Sequence, residues 1–504
     1  SDKVQRLVAA SGCAASGGGV AHSEFMGSSC VRACVGTAGD DAGAGAAMSE
    51  EQRAAWLNKY NEMDAVVEAL ASGDTVLIKG SWLVEFARSS RALPRRQDLP
   101  PEAVWDVEEL APLLQRTDGG VWDHRAVVPI ALSYCWATKE HPDPTGEQTR
   151  RVAGALRAWT SGVRGARCRD AALFIDWCSL FQEPRSPEEA AAFKRGLRDV
   201  NLWYAHKQVV SLLLTVVPEG VKAYKERGWP SFESAISGLA KDSWKVLDLG
   251  VGLPDADVVF ETSEDVMDKL VNPCRANRPP PCLPESFNAR LQHLSFTNGS
   301  DRGFVQRKYL STFEEVMGSM DGLNFPRNNW GLEECKQVAA VLPWCKSAEY
   351  LDLGAASIGP EGVKHLASAL PQCPSLQTLD IGLCKVGREG LVHLLAVLER
   401  TGLRDLWLMD NDLDDASAEL LLDLVAGRCG RLRELSLRRN EVTDAGAARL
   451  AAALCEPRCQ VRLLRLNENA GVTDASVEAM CTALLQSPCL ETLDLRCTSI
   501  TTVG

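Results

Sequence analysis

The chain lacks the motifs that mark several common functional classes. It has no Gly-x-x-x-x-Gly-Lys-[Ser/Thr] phosphate loop, no His-Glu-x-x-His zinc motif and no Gly-x-Ser-x-Gly nucleophile motif. Its 18 cysteines include no paired Cys-x-x-Cys sets with distal partners, so a zinc site is not predicted. These absences exclude a nucleotide switch of the P-loop type and the metalloprotease and hydrolase classes that those motifs define.

Long apolar runs and a basic charge balance are missing too. No stretch approaches the roughly 18 to 20 apolar residues of a membrane-spanning helix, so no membrane association is predicted. The formal net charge is −13, which argues against nucleic-acid binding because phosphate contacts need concentrated Lys and Arg. Scattered cysteines without a disulfide framework favour a reducing compartment, and the cytoplasm is the predicted location.

What the chain does have is a repeat in its last third. From Ala348 onward, Leu-x-x-Leu-x-Leu or a close variant occurs six times at steps of 27 to 29 residues, with helix-like sequence between the copies. A period this constant is typical of a solenoid, in which units stack side by side on one continuous core. The last apolar positions of the six copies are Leu353, Ile381, Leu408, Leu437, Leu466 and Leu495.

The period resembles the ribonuclease-inhibitor class of leucine-rich repeat, in which each unit is one short strand and one helix. Three residues after each last apolar position, that family has Asn or Cys, whose side chain hydrogen-bonds the backbone of the turn. The resemblance implies a horseshoe over residues 341–504, with strands on its concave face, helices on its convex back and no C-terminal cap. Four of the six positions comply, namely Cys384, Asn411, Asn440 and Asn469.

The x positions of the strands are predicted to project from the concave face and to contact a protein partner. An exposed Trp and Met beside several arginines is the composition of a binding hot spot. The alternative is that alternating charges only solvate the face of the sheet. The residues predicted to bind the partner are Asp380, Arg404, Trp407, Met409, Arg438 and Arg465.

Residues 121–255 alternate apolar segments with longer helical ones. Strands are predicted at 127–134, 171–176 and 209–217, and helices near 147–164 and 187–204. Continuous apolar strands separated by helices indicate a parallel sheet covered on both faces. Ligands bind such sheets beyond the carboxyl ends of the strands, which is where Ser133, Tyr134 and Asp176 stand.

Four blocks of this region resemble, in order, blocks of the related HET and TIR domains. HET domains have a Leu-Ser-Tyr-x-Trp strand end, an Ile-Asp strand end, an aromatic-rich helix end and an Arg-x-Trp element. The sequence matches them at 132–136, 174–182, 202–206 and 227–233. Such a domain followed by leucine-rich repeats is similar to large protein families of unicellular algae. The predicted fold class is α/β, a TIR/HET-like parallel-sheet domain followed by a leucine-rich repeat horseshoe.

The resemblance implies signalling by self-association, and also an activity, since many TIR domains hydrolyse the nicotinamide-ribose bond of NAD. Glu233 stands at the position of their catalytic glutamate, although Pro230 replaces the usual Cys. A fixed carboxylate stabilises the oxocarbenium character that develops as an N-glycosidic bond breaks. The residues implied to line the nucleotide pocket are Ser133, Tyr134, Trp136, Asp176 and Trp229.

Each of these residues also has a structural interpretation. Tryptophans at element ends often lock a sheet to its helices, Asp176 can cap the next turn, and Glu233 can lie in a buried salt bridge or on a helix surface. Two functions therefore stay open. The first is a signalling protein whose repeats bind a protein and whose α/β domain forms a homo-oligomer without chemistry. The second is an NAD nucleosidase gated by the repeats, with NAD as substrate and no certain cofactor.

The remaining segments are assigned by composition. Residues 1–50 are rich in Gly, Ala and Ser, which bury too little surface to offset ordering entropy, so a disordered tail is predicted. Residues 51–120 form a helical and extended lead-in to the α/β domain. Residues 256–340 form a connector that also caps the first repeat, because a solenoid needs its end leucines covered.

Overall fold

The computed structural model describes residues 49–89, 91–114, 127–160, 168–252, 263–427 and 431–501. The tail predicted over residues 1–50 lies outside these ranges, apart from its last two residues. Two sheets dominate the described chain, one of five strands and one of seven. The architecture is therefore α/β throughout.

The N-terminal sheet has the strand order β1-β3-β2-β4-β5. Strands β2 to β5 are parallel, whereas β1 pairs with β3 in the antiparallel sense. β1 lies in residues 51–120, which were predicted as a lead-in, so that segment contributes a strand to the sheet. The strands are β1 Ile78–Lys79, β2 Val127–Ser133, β3 Asp170–Phe174, β4 Val210–Leu213 and β5 Val246–Asp248.

Both faces of this sheet are covered, as predicted. Val128 and Ile130 of β2 lie in a cluster with Leu156, whereas Ala131 lies in another cluster with Trp203. Alternate residues of one strand thus enter two separate cores. The helices of this part are Glu50–Asn61, Met63–Ala71, Gly80–Phe86, Val107–Leu114, Glu147–Thr160, Asp176–Ser179, Pro187–Arg198, Val200–Ala205, Gly228–Ser237 and Leu249–Gly252.

The repeat sheet contains seven parallel strands among the described residues, one more than the six predicted. The extra strand, β6, lies in the predicted connector. The repeat motif did not predict it, because Met320 and Phe325 stand where the motif has leucines. Gly322 of β6 is required by packing, since a Cβ there would lie 1.9 Å from the Tyr350 ring. The strands are β6 Gly322–Asn324, β7 Tyr350–Asp352, β8 Thr378–Asp380, β9 Asp405–Trp407, β10 Glu434–Ser436, β11 Leu463–Arg465 and β12 Thr492–Asp494.

Helices cover one face of the repeat sheet, and the leucines of the motif are buried between them and the strands. The other face, which we call the open face, carries the x positions. The helices of this part are Leu332–Val341, Gly359–Ala369, Gly387–Leu395, Asp415–Leu420, Leu422–Val425, Asp444–Leu454 and Val477–Gln486.

Buried asparagines join successive repeats, as the family resemblance implied. Asn440 accepts hydrogen bonds from the backbone of Asn411 (2.9 Å) and Leu413 (3.1 Å) and donates to the carbonyl of Leu408 (2.9 Å). Asn469 binds the preceding turn in the same way through the backbone of Asn440. The side chain of each asparagine therefore holds the turn of the repeat before its own.

The connector joins the two sheets through a common core. Its helices are Ser263–Val266, continued by a π-helical turn at Met267–Val271 and by Asn272–Arg275, then Pro284–Leu291 and Asp301–Ser319. Glu315 of the last helix accepts hydrogen bonds from Lys59 (2.6 Å) and Tyr60 (2.8 Å). Asn324 of β6 donates to Asp242 (3.0 Å), which lies just before β5. One hydrophobic cluster runs from the first helix into the repeats.

Candidate functional site

Glu233 lies at the carboxyl edge of the N-terminal sheet, on helix Gly228–Ser237. Ser133 ends β2, and its hydroxyl donates to Glu233 Oε2 (2.6 Å) while also contacting the Tyr224 hydroxyl (2.5 Å). The strand order reverses between β2 and β4, which is the usual ligand crevice of a doubly wound sheet. Ser133 and Glu233, which were predicted as a pocket residue and a catalytic residue, are thus in contact at that crevice.

The environment of Glu233 keeps its carboxyl group largely protonated at neutral pH. The side chain is only 8% exposed, and burial raises its pKa from 4.5 to about 8, a rise that the Ser133 hydrogen bond opposes. Burial raises the pKa of Tyr204 and Tyr224 as well. The group is therefore a closed cluster of neutral oxygens that share hydrogen bonds.

Asp176 forms a second group on the other side of the same sheet edge. The Tyr134 hydroxyl donates to Oδ1 (2.7 Å) and the Trp136 indole donates to Oδ2 (2.9 Å). Trp177 packs edge-on against Trp136, with ring centroids 5.4 Å apart. Burial raises the pKa of Asp176. Tyr134, Trp136 and Asp176 are thus in contact, and Asp176 also accepts a hydrogen bond from the backbone of Trp177 (2.7 Å), as its structural interpretation requires.

The two groups do not form one pocket, because successive side chains of a strand point to opposite faces. Ser133 faces helix Gly228–Ser237, whereas Tyr134 faces the core that contains Val152. A cavity lined by Tyr134 has a volume of about 10 Å³, which is room for roughly one water molecule. In this conformation the cavity is too small for a nucleotide.

Trp229 lies apart from both groups. It is half-buried, and its indole donates to Asp301 (3.0 Å) at the start of helix Asp301–Ser319. Its ring packs near Phe304 of that helix and Phe232 of its own, each at 5.9 Å between centroids. The structure thus places this residue at the contact between the sheet and the connector.

Two phenols of the Glu233 group were not among the predicted site residues. Tyr204 ends an aromatic-rich helix, donates to the carbonyl of Leu132 (2.9 Å) and also hydrogen-bonds Glu233. Tyr224 comes from the segment after β4. The sequence contained a usable signal, since both residues lie within or beside the blocks that resemble HET domains.

The open face of the repeat sheet brings Trp407 and Arg465 together. They lie on β9 and β11, on either side of Ser436, and the guanidinium of Arg465 is 5.9 Å from the indole centroid. Ser436 beneath them is buried. The covered indole nitrogen of Trp407 has no hydrogen-bond partner among the described residues. An unpaired buried donor costs about 1–3 kcal/mol of stability relative to one that has an acceptor.

The other residues predicted to bind a partner surround this pair. Asp380 is next to Trp407 on β8, and burial raises the pKa of its carboxyl group. Met409 follows β9 and is half-buried, Arg438 follows β10 and pairs with Glu468 (2.5 Å), and Arg404 precedes β9. All six predicted residues therefore lie on or beside β8 to β11.

The described ranges contain neither a membrane-spanning helix nor a cluster of metal-binding side chains. No helix there has the length and apolar character needed to cross a membrane. No group of three or more His, Cys, Asp or Glu side chains in those ranges could hold a metal ion.

Comparison with known proteins agrees with the repeat geometry. The family described as Leucine Rich repeat matches residues 372–395 and 432–451. The ribonuclease inhibitor of Sus scrofa is 31% identical over 121 residues, which cover 18% of this chain and 26% of the inhibitor. The chain thus spans about a quarter of the length of the curated relative that it matches. The repeat sheet is built of leucine-rich repeats, which in general mediate protein–protein interaction.

Proposed function

We propose that the chain is a protein-interaction and signalling protein whose leucine-rich repeats bind a protein partner on their concave face. The observation that carries this proposal is the pair of Trp407 and Arg465. Tryptophan and arginine are the residues most often found as binding hot spots, because each contributes a large contact area together with polar groups. A partner that reorients the indole would also supply an acceptor for its unpaired nitrogen.

The experiment compares two tryptophans that differ in position. Tagged wild type, Trp407→Ala and Trp344→Ala are used to capture partners from the source cell, with quantitative mass spectrometry as the readout. Trp344 is a matched control because it is 40% exposed and packs edge-on against Phe313, away from the open face. We expect Trp407→Ala to lose a protein that Trp344→Ala retains. Equal capture by all three would reject the concave face as the binding surface.

For the N-terminal sheet we propose a TIR/HET-like domain that signals by self-association in the cytoplasm. The strand order of β2 to β5 and the blocks that resemble HET domains support this assignment. Sedimentation velocity over a range of concentrations tests it. A chain that stays monomeric at the highest soluble concentration, both free and with its partner bound, would contradict the proposal.

A second candidate function is NAD cleavage at Glu233. The observation in its favour is that Glu233 and Ser133 meet where the strand order reverses. Stabilising an oxocarbenium ion requires the ionised carboxylate, so nicotinamide release should rise as the pH passes the Glu233 pKa of about 8. Glu233→Gln should abolish the release. Absence of release from wild type at every pH would reject this candidate.

A further inference from the structure

Three arginines precede three adjacent strands of the repeat sheet, and we call them the arginine edge: Arg404, Arg433 and Arg462. Their backbones are linked in series, since Arg433 N–H donates to the carbonyl of Arg404 (2.6 Å) and Arg462 N–H donates to that of Arg433 (2.7 Å). Neighbouring strands lie about 4.8 Å apart. The backbones of the three arginines are therefore held at a fixed, short spacing.

The arginine edge lines a surface cleft with a volume of about 350 Å³. Asp405, Glu434 and Glu491 line it as well, but each has a partner of its own. Asp405 accepts a hydrogen bond from Thr378 (2.9 Å), Glu434 lies 3.5 Å from Arg465, and Glu491 lies 3.6 Å from Arg462. The acids of the cleft are thus largely engaged with neighbouring side chains.

Arg404 and Arg433 differ from Arg462 in their ion pairing. Within the described part of the chain, neither has a carboxylate at ion-pair distance. Arg433 is exposed and Arg404 is half-exposed. Asp405 lies near enough to attract both side chains, but it is not in a direct ion pair with either. Both guanidinium groups can therefore pair with an incoming carboxylate, which a guanidinium can bind through two parallel hydrogen bonds.

The positive charge of the edge is local. The corresponding residues before β6, β7, β8 and β12 are Asp321, Glu349, Gln377 and Glu491, so the row is acidic or neutral on both sides of the arginines. The whole chain carries a formal net charge of −13. The three arginines are therefore a local concentration of positive charge in an acidic chain.

We infer that the arginine edge binds an acidic segment of the protein partner, with Asp or Glu side chains paired to Arg404 and Arg433. This inference rests on the proposed binding at the concave face. Arg404 precedes β9 and Trp407 ends it, about 10 Å further along the chain, so a single partner reaches both. A nucleic acid would bring a long row of phosphates close to a chain whose formal net charge is −13, so a short acidic segment of a protein is the occupant that we assign.

The test uses defined peptides, so that it does not depend on knowing the partner. Binding of fluorescein-labelled hexaglutamate and hexalysine is followed by anisotropy at low salt. The proteins are wild type, the double variant Arg404→Gln/Arg433→Gln and the control Arg388→Gln. Arg388 is exposed on helix Gly387–Leu395, behind the sheet. Thermal unfolding of each variant shows whether it is folded.

We expect hexaglutamate to bind wild type and Arg388→Gln equally and to bind the double variant about tenfold more weakly, since each exposed charge pair contributes a small factor. Equal hexaglutamate affinity for the folded double variant and wild type would overturn the inference. So would tighter binding of a labelled hexanucleotide DNA than of hexaglutamate through the same two arginines.

Failure of this inference is distinguishable from failure of the proposed function. If the partner captured by wild type is lost with Trp407→Ala but retained by Arg404→Gln/Arg433→Gln, the concave face binds a partner without an acidic segment and the inference is wrong. If capture survives both sets of substitutions, the proposed binding surface itself is wrong. Loss of capture with both supports the inference.

Discussion

Replacing Glu233 by Gln should stabilise the protein at neutral pH, and by an amount that depends on pH. Glutamine keeps the shape and the acceptor for Ser133 but cannot ionise. In wild type the native carboxyl has a pKa of about 8, whereas the unfolded chain has the ordinary value of 4.5. Between these values the unfolded state releases a proton that the native state keeps, so wild-type stability falls as pH rises.

The size of the effect follows from the linkage between pKa and stability. Each unit of difference corresponds to about 1.4 kcal/mol, so at about pH 7 the wild type loses roughly 3 kcal/mol of unfolding free energy. The Glu233→Gln variant does not lose this free energy, because glutamine does not ionise. The stability gained by the substitution should therefore be small near about pH 5 and grow by about 3 kcal/mol by about pH 7.5.

Urea unfolding followed by tryptophan fluorescence at a series of pH values measures this gain. Glu226→Gln is the control, because Glu226 is an exposed acid two residues before the same helix. Because the Glu226 side chain is exposed, this substitution should change the unfolding free energy only slightly. A Glu233→Gln gain that stays flat between about pH 5 and pH 7.5 would show that Glu233 is ionised in the native state. The closed, neutral cluster inferred around Ser133 would then be wrong.

Three further substitutions test other parts of the fold by urea unfolding. Asn440→Ala removes three buried hydrogen bonds and should cost about 3 kcal/mol, and a loss below roughly 1 kcal/mol would contradict the role of the asparagines. Lys241→Met should stabilise by roughly 1–3 kcal/mol at neutral pH, because burial lowers the pKa of this amine and its hydrogen bond is to Ser211. That gain should shrink as the pH approaches 10.5, where the unfolded lysine is also neutral, and a constant gain would refute the reasoning. Leu383→Gly should stabilise by roughly 0.5 kcal/mol, since Leu383 has φ of 57° and is 41% exposed, and a loss above about 1 kcal/mol would contradict it.

The repeats could be predicted from sequence because their period and buried leucines are strict. The first strand of the repeat sheet, β6, could not be predicted, because Met320 and Phe325 occupy leucine positions and Gly322 leaves space for the Tyr350 ring. The left-handed residue that recurs two positions after the last apolar residue was also missed. It is Arg327 in one repeat and Glu468 in another, so neither glycine nor asparagine marks the turn.

The N-terminal site could be predicted only in part. The rule that ligands bind at strand ends named both Tyr134 and Asp176, and the structure places these two side chains in contact. It also placed Ser133 in the same pocket, although the alternation of a strand sends adjacent residues to opposite faces. Tyr224 and Glu233 reach Ser133 from about a hundred residues away, a contact that only the three-dimensional packing reveals.

The asparagine hydrogen bonds give the repeat array a direction. The turns at Cys384, Asn411 and Asn440 are each held by the repeat that follows, as when Asn469 holds the turn at Asn440. For these three turns, removing the repeat in front leaves the asparagine contact in place, whereas removing the repeat behind deprives the turn of its acceptor. A substitution at one of these asparagines is therefore expected to loosen the repeat before it, so that loss of Asn469 would disturb the turn that follows β10.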